Sequence, residues 1–267
     1  MTNSIRIGII GGTGVYQIPG VENLEKRKVD TPYGSVMVSI GILSGKTVAF
    51  LTRHGEHHSI SPGQINYRAN MYAMKSLGVK QLIATACSGS LNPEYGTGSF
   101  VMLEQFIELT RSRIDSFYQN DGSRDEKIAH VDMTTPYCGR LGQVVIDAGK
   151  EMGIEVKKGA TYCCVEGPRF ETKAEIDMIR RLGGDLVAQT QYPEVALARE
   201  AEICYAAIGV ISNMAAGIEE EHVSAIELKN SMATLFNTVQ ILIAKAVERM
   251  DEKDTCWCQT ALAESYL

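Results

Sequence analysis

Short apolar runs that stop in glycine or polar turns recur along this chain, and stretches of helical period separate them. Residues 5–10, 81–85, 161–166, 186–189 and 205–212 read as strands, and residues 66–77, 141–152, 172–182, 193–202 and 224–250 as helices. Apolar runs without polar alternation suit strands covered on both faces. Strand following helix from end to end predicts an α/β sheet wrapped by helices. A hairpin is expected over 36–51 around Ser44-Gly45, a strand over 100–109 and a polar surface loop over 112–127. No linker or repeat interrupts the pattern, so residues 1–250 read as one domain. Residues 251–267 form a tail carrying Cys256-Trp257-Cys258, expected to be mobile or docked on a neighbour.

Charge and cysteine usage exclude several classes. The net charge is −6 and no Lys/Arg block makes a basic stripe, which argues against nucleic acid. No run of about 18 apolar residues predicts a membrane span. The N-terminus lacks a basic stretch followed by an apolar one, so a cytoplasmic location is expected. Seven cysteines, an odd number in a chain of 267 residues, do not suit a secreted disulfide scaffold. There is no CxxC pair and no His/Cys cluster at zinc spacing, so no metal site is expected. Cys163-Cys164 reads as core. Cys256 and Cys258 read as a redox-sensitive close pair, an oligomer staple or two unpaired thiols.

Candidate chemistry gathers where strands end, the usual ligand edge of an open α/β sheet. Gly11-Gly12-Thr13-Gly14 follows the first strand, but Gln17 stands where a dinucleotide fingerprint needs its third glycine. A backbone anion cradle and a plain structural turn both remain open there. Arg53-His54 ends another strand and offers a bidentate donor beside a second one. Ala86-Cys87 sits in an expected glycine-rich turn whose amides would face an anion. Thr190 follows the strand over 186–189. Toward the C-terminus, Phe170, Glu171 and Asn213 supply an aromatic face, a carboxylate and a carboxamide. That set suits a purine with oxygen at C6: Phe170 stacks, Glu171 accepts from N1–H, and Asn213 donates to one of O6 and N7 while accepting from the other. Adenine lacks N1–H and carries an amino group at C6. His57 and His58 read as solvated, His130 as a surface histidine or a ligand contact, and Met214 as packing.

With these pieces in order, the chain resembles the purine nucleoside phosphorylase and methylthioadenosine phosphorylase family, over about residues 5–250. The matching segments are GGTG at 11–14, RHG at 53–55, NYRAN at 66–70, GSL at 89–91, EGPRFET at 166–172, PEVALARE at 193–200 and SNMAAG at 212–217. The resemblance implies a curved mixed sheet flanked by helices, assembled as homotrimers or homohexamers. It implies attack of inorganic phosphate on C1′ of a nucleoside, with no cofactor and no metal. Carried over by position, Thr13, Arg53, His54, Ala86, Cys87 and Thr190 would bind phosphate. Ser88, Gly89, Phe170, Glu171, Gln189, Asn213, Met214 and Ala215 would line base and ribose. His130 would reach the 5′ pocket of a neighbouring subunit, and Asn213 and His54 would act in catalysis.

Three departures sharpen the expectation. Members acting on methylthioadenosine carry aspartates where this chain has Asn213 and Ala215, and tend to carry serine where it has Glu171. An ionised aspartate would repel O6, whereas a neutral asparagine donates to it. Ala225 stands where ordinary purine nucleoside phosphorylases hold a histidine to the 5′-hydroxyl, so an apolar 5′ pocket is expected. Gln189 replaces the usual methionine beside the ribose, and Ala86 the usual Thr or Asn. The expected activity is phosphorolysis of 5′-methylthioinosine, inosine and guanosine. The alternatives are methylthioadenosine phosphorolysis or, in another class, nucleoside binding without turnover.

Overall fold

The computed structural model describes residues 5–13, 15, 17–118, 128–219, 233–253 and 255–266. Among these residues nine strands form one mixed sheet: β1 (Ile7–Gly11), β2 (Glu22–Thr31), β3 (Gly34–Leu43), β4 (Lys46–Thr52), β5 (Gln81–Ser90), β6 (Phe100–Leu109), β7 (Val156–Val165), β8 (Leu186–Ala188) and β9 (Cys204–Met214). Their order is β2-β3-β4-β1-β5-β8-β7-β6-β9, and β9 pairs back onto β5. Strands β5, β8, β7, β6 and β9 thus close into a small barrel, and the other four extend from it as a wing. Among the described residues five helices flank the sheet: α1 (Tyr67–Ser76), α2 (Gly139–Glu151), α3 (Lys173–Arg181), α4 (Gln191–Glu200) and α5 (Ala233–Arg249). The expected curved mixed sheet flanked by helices is what forms.

Apolar runs become central strands because both faces of the sheet are covered. On β5, Leu82 and Ala84 join a core with α1 and α4, while Ile83 joins one with α2 and α5. On β4, Ala49 and Leu51 face the first core and Val48 and Phe50 the second. Helix ends follow local chemistry. Asn66 Oδ1 accepts from Ala69 N at 3.0 Å to cap α1, and Thr172 and Glu175 form a reciprocal capping box at α3. Lys46 Nζ, arriving from β4, donates to the carbonyls of Val247, Glu248 and Met250 at the end of α5.

The structure departs from the sequence pattern in three places. Residues 86–90 are not a glycine turn but the second half of β5, because β9 pairs with that strand along its whole length, through a register shift between Ser88 and Gly89. The segment Glu22–Thr31, with no apolar alternation, is an exposed strand recruited by antiparallel pairing with β3. Arg113, expected in a surface loop, has a side chain only 3% exposed. The helix expected over 224–250 is seen as α5; residues 224–232 lie outside the described residues. Residues 255–266 pack on their own chain, with His130 N donating to Ser265 O at 2.7 Å and Tyr118 set edge-on to Tyr266. Among the described residues no helix is long and apolar enough to cross a membrane.

Candidate active site

Parallel strands β1 and β4 end level with one another, Gly11 opposite Thr52, and Arg53 N donates to Gly11 O at 3.0 Å. The chain then turns at Gly12, whose N–H donates to Thr85 Oγ1 at 2.9 Å. A Cβ at Gly12 would stand 2.7 Å from Thr85 O and 2.9 Å from Arg53 Nη1, so only glycine lets the turn lie this close to the strands. Thr13 is carried, half-buried, on that turn.

Arg53 lies beneath the turn with its side chain fully enclosed. Nε and Nη2 donate to the two carboxylate oxygens of Glu194 at 2.6 Å each, and Nη1 donates to Thr85 O at 2.8 Å. Of the five guanidinium N–H groups this leaves one on each terminal nitrogen. Burial alone would lower the Arg53 pKa, but the Glu194 carboxylate reverses that and raises it, so the charge is permanent. Tyr205 Oη lies 2.6 Å from Glu194 Oε1 and 2.8 Å from the Gln191 carboxamide. Its single proton goes to the carboxylate. The Gln191 atom facing the phenol is Oε1, and its Nε2 has no partner; turning the amide over lets it donate an N–H to the phenol oxygen and satisfies both groups.

His54 Nδ1 lies 2.9 Å from Ile60 O, which only accepts, so the proton sits on Nδ1 and Nε2 keeps its lone pair. Burial pushes the imidazole pKa down from 6.5 to about 4, with Arg53 and His58 adding to the shift. His58, expected to be solvated, is exposed, with its ring 4.4 Å from that of His54. Thr190 closes this half as the residue capping α4. Its N–H donates to Tyr162 Oη at 3.1 Å, and its hydroxyl makes no capping bond.

The second half forms at the far end of β5, where Gly89 is paired with Asn213. Ser212 Oγ donates to Asn213 Oδ1 at 2.6 Å, and Asn213 Nδ2 donates to Met214 O at 2.8 Å. The Met214 carbonyl needs a donor, which settles which way the amide points. One N–H and one lone pair of Asn213 stay available. Ser88 and Ala215 are buried beside it, and Met214 is half-buried.

The turn before α3 supplies the rest. Gly167 has φ of +70°, and a Cβ there would collide with the Gln189 carboxamide. Gln189 Nε2 donates to Arg169 O at 3.2 Å and its side chain also bonds Glu171. Arg169 pairs with Glu175 at 2.6 Å, tying the turn to the α3 capping box. Phe170 is 45% exposed, an aromatic face with no cover. Burial raises the pKa of Glu171, helped by Glu175 and opposed by Gln189 and Arg169.

Strand β5 joins the halves. Thr85 touches Gly12 and Arg53, and Gly89 pairs with Asn213. Four residue steps of about 3.3 Å put them about 13 Å apart, a span suited to a nucleoside with phosphate beneath its ribose. Ala86, Cys87 and Ser88 lie between, and burial raises the pKa of Cys87, which keeps it a neutral thiol. His130 is exposed and sits against the C-terminal segment. Ala225 and Gly14 lie outside the described residues.

Sequence reasoning missed Arg113. Its Nη1 donates to Gln189 O at 2.6 Å and Tyr192 O at 2.7 Å, and its Nη2 to Glu166 O at 2.9 Å and Val165 O at 3.3 Å. One guanidinium thereby clamps the segment leading to Phe170 and Glu171 against the segment carrying Gln189 and Thr190. It also missed Glu194, the partner of Arg53. Neither has a local signal, although Glu194 lies within a matching motif.

Comparison with known proteins places this geometry among relatives. The family model described as "Phosphorylase superfamily" matches residues 6–248. A 6-oxopurine nucleoside phosphorylase of Pyrococcus furiosus is 44% identical over 259 residues, covering 96% of this chain and 97% of its own. A Methanopyrus kandleri protein called "Probable S-methyl-5'-thioinosine phosphorylase" is 43% identical, covering 96% of this chain and 97% of its own. A crystal structure of a methylthioadenosine phosphorylase from an antarctic soil metagenomic library superposes with a TM-score of 0.90 at 34% identity, covering 99% of this chain and 93% of its own.

Proposed function

The chain belongs to the phosphorylase superfamily, and we propose that it cleaves 6-oxopurine nucleosides with inorganic phosphate to give free base and ribose 1-phosphate or its 5-methylthio form. The observation that carries this reading is the fixed amide of Asn213, a neutral group with one N–H and one lone pair left; the turn before α3 adds the carboxylate of Glu171. The N–H suits O6 and the lone pair suits a proton on N7, while Glu171 accepts from N1–H. An adenine edge would leave these groups mismatched, and a site built to pair one polar edge rejects another strongly. The 6-oxopurine and methylthioinosine names of the relatives support the same reading.

Phosphate lies beneath the ribose, against Thr13, the backbone of Ala86 and Cys87, and the hydroxyl of Thr190. Neutral His54 accepts through Nε2 from the P–OH of hydrogen phosphate. Arg53, oriented by Glu194, supplies the fixed positive charge beneath the turn. As the glycosidic bond breaks, positive charge grows on the ribose and the phosphate dianion stabilises it before bonding to C1′. The electron pair leaves with the base; N7 takes a proton from water, the P–OH proton of the phosphate neutralises the hydroxide left behind, and the N7–H donates a hydrogen bond to Asn213 Oδ1. Phe170 stacks on the base, and Gln189 holds the Gly167 turn that carries Phe170 and Glu171. By sequence, Ala225 leaves the 5′ pocket apolar and open to a methylthio group. His130 faces a neighbouring subunit in a homotrimer or homohexamer.

Phosphate-dependent base release is measured from 5′-methylthioinosine, 5′-methylthioadenosine, inosine and adenosine side by side. Turnover of the two inosine compounds is expected, and their ratio reports on the 5′ pocket. Turnover chiefly of methylthioadenosine, the activity in the name of the solved structural neighbour, would overturn the reading of the base edge. Binding without base release would overturn the enzyme.

A further inference from the structure

Away from this site, the fold gathers four cysteines that lie far apart in sequence. Cys138 precedes α2, Cys204 opens β9, and Cys256 and Cys258 belong to the segment after α5. Their sulfur atoms all lie within 4.8 Å of one another. Cys138 Sγ is 3.7 Å from Cys256 Sγ, which is 3.5 Å from Cys258 Sγ. Sulfurs held tetrahedrally about 2.3 Å from a zinc ion stand about 3.8 Å from each other. The cluster therefore has the size and ligand number of a closed tetrathiolate site, without the metal-binding spacing that local sequence shows in zinc fingers.

The surroundings suit thiolates. Arg140 Nη2 and Gln259 Nε2 each approach Cys204 Sγ at 3.8 Å, as outer donors to a metal-bound sulfur do. Cys138 caps the N-terminus of α2, where unpaired N–H groups carry partial positive charge. Four thiolates on a divalent ion leave two negative charges, one of which the Arg140 guanidinium offsets. Trp257, between the last two cysteines, lies under the Arg199 guanidinium at 4.0 Å, which holds the short loop in place on the body of the fold. Thiols packed only as small hydrophobes would need none of these donors.

We propose that Cys138, Cys204, Cys256 and Cys258 bind one soft divalent cation, zinc by its preference for tetrahedral sulfur. Binding exchanges four thiol protons for the ion. With all four positions filled by protein the site is structural. It ties the C-terminal segment to the start of β9 and the start of α2. It takes no part in phosphorolysis and stands whether or not the substrate reading holds.

The test is metal content of the full chain, purified without chelator from zinc-supplemented medium and measured by plasma mass spectrometry. The expected result is about one zinc per chain. That zinc is retained in the control Cys163→Ser, whose sulfur lies in β7, and lost in the double variant Cys256→Ser/Cys258→Ser. Removing zinc from the parent is expected to lower the melting temperature, and adding zinc alone to restore it. Cobalt loaded in its place should show the visible absorption of a tetrahedral thiolate complex. Three results would overturn the proposal: no metal with seven free thiols, no metal with an unreduced mass short by two hydrogens per disulfide, or zinc that survives in the double variant.

Discussion

The middle of β5, at Thr85, and its C-terminal end, at Gly89, hold sites built in opposite ways. At Thr85 the phosphate half rests on a buried ion pair, Arg53 with Glu194, whose side chains are 0% and 1% exposed. At Gly89 the base half rests on a turn with an open aromatic ring and an exposed Arg169–Glu175 pair, 62% and 36% exposed. A buried pair is costly to break because each charge left behind lacks a partner. An exposed pair adds little to stability. On the proposed reading, the half that holds phosphate serves every substrate, and it is the half tied into the core. The half proposed to read the base rests on exposed groups and can change without unfolding the protein.

The harshest attack on this contrast is Glu194→Ala. It strands the Arg53 guanidinium and should cost about 3–5 kcal/mol of stability. A large fall in melting temperature and lost phosphorolysis are expected. A melting temperature close to the parent's would show that the pair does not hold the site. Arg113→Ala comes next, because it strips donors from carbonyls on both sides of the base half, at about 3 kcal/mol. Here kcat/KM should fall for every nucleoside alike, whereas a change confined to one base would mean that Arg113 reads substrate directly.

Asn213→Asp tests the other side of the comparison. The preference for inosine over adenosine should shrink roughly 10- to 100-fold, corresponding to about 1.4–2.8 kcal/mol of discrimination. An unchanged ratio would remove Asn213 from base recognition.

Proton linkage gives the next effect. His54 is held neutral, its pKa lowered from 6.5 to about 4, so the unfolded chain takes up the proton first as pH falls. Stability should drop between those values by about 2 kcal/mol, allowing for partial solvent access. In His54→Asn that part of the pH slope should vanish, and a slope equal to the parent's would assign it to other groups. The smallest effect is Phe170→Ala, which removes about 1 kcal/mol of stacking on a base. Calorimetry should show an unchanged melting temperature while KM rises several-fold. A destabilised variant would mean that the exposed ring also serves packing.

Local patterning made much of this molecule legible. Residues 5–10 and 205–212 announce strands covered on both faces. Asn66 and the Thr172–Glu175 pair mark helix starts. The order of the motifs from GGTG to SNMAAG marks the family along the chain itself. The chemistry of Asn213 and Glu171 could be argued from residue type alone, since a carboxamide and a carboxylate keep their donors and acceptors in any fold.

Only the tertiary structure decided that residues 86–90 are strand, because β9, more than a hundred residues later, pairs with them. It alone placed Glu194 on Arg53, Arg113 on the carbonyls of two segments, and Cys138 and Cys204 beside Cys256 and Cys258. The physical reason is the same in each case. Period, capping and turn chemistry act between residues a few positions apart, so they can be read along the chain. Partners of buried charges, clamps and thiols are set by which distant segments the closed sheet brings within bonding distance, and no local pattern records that.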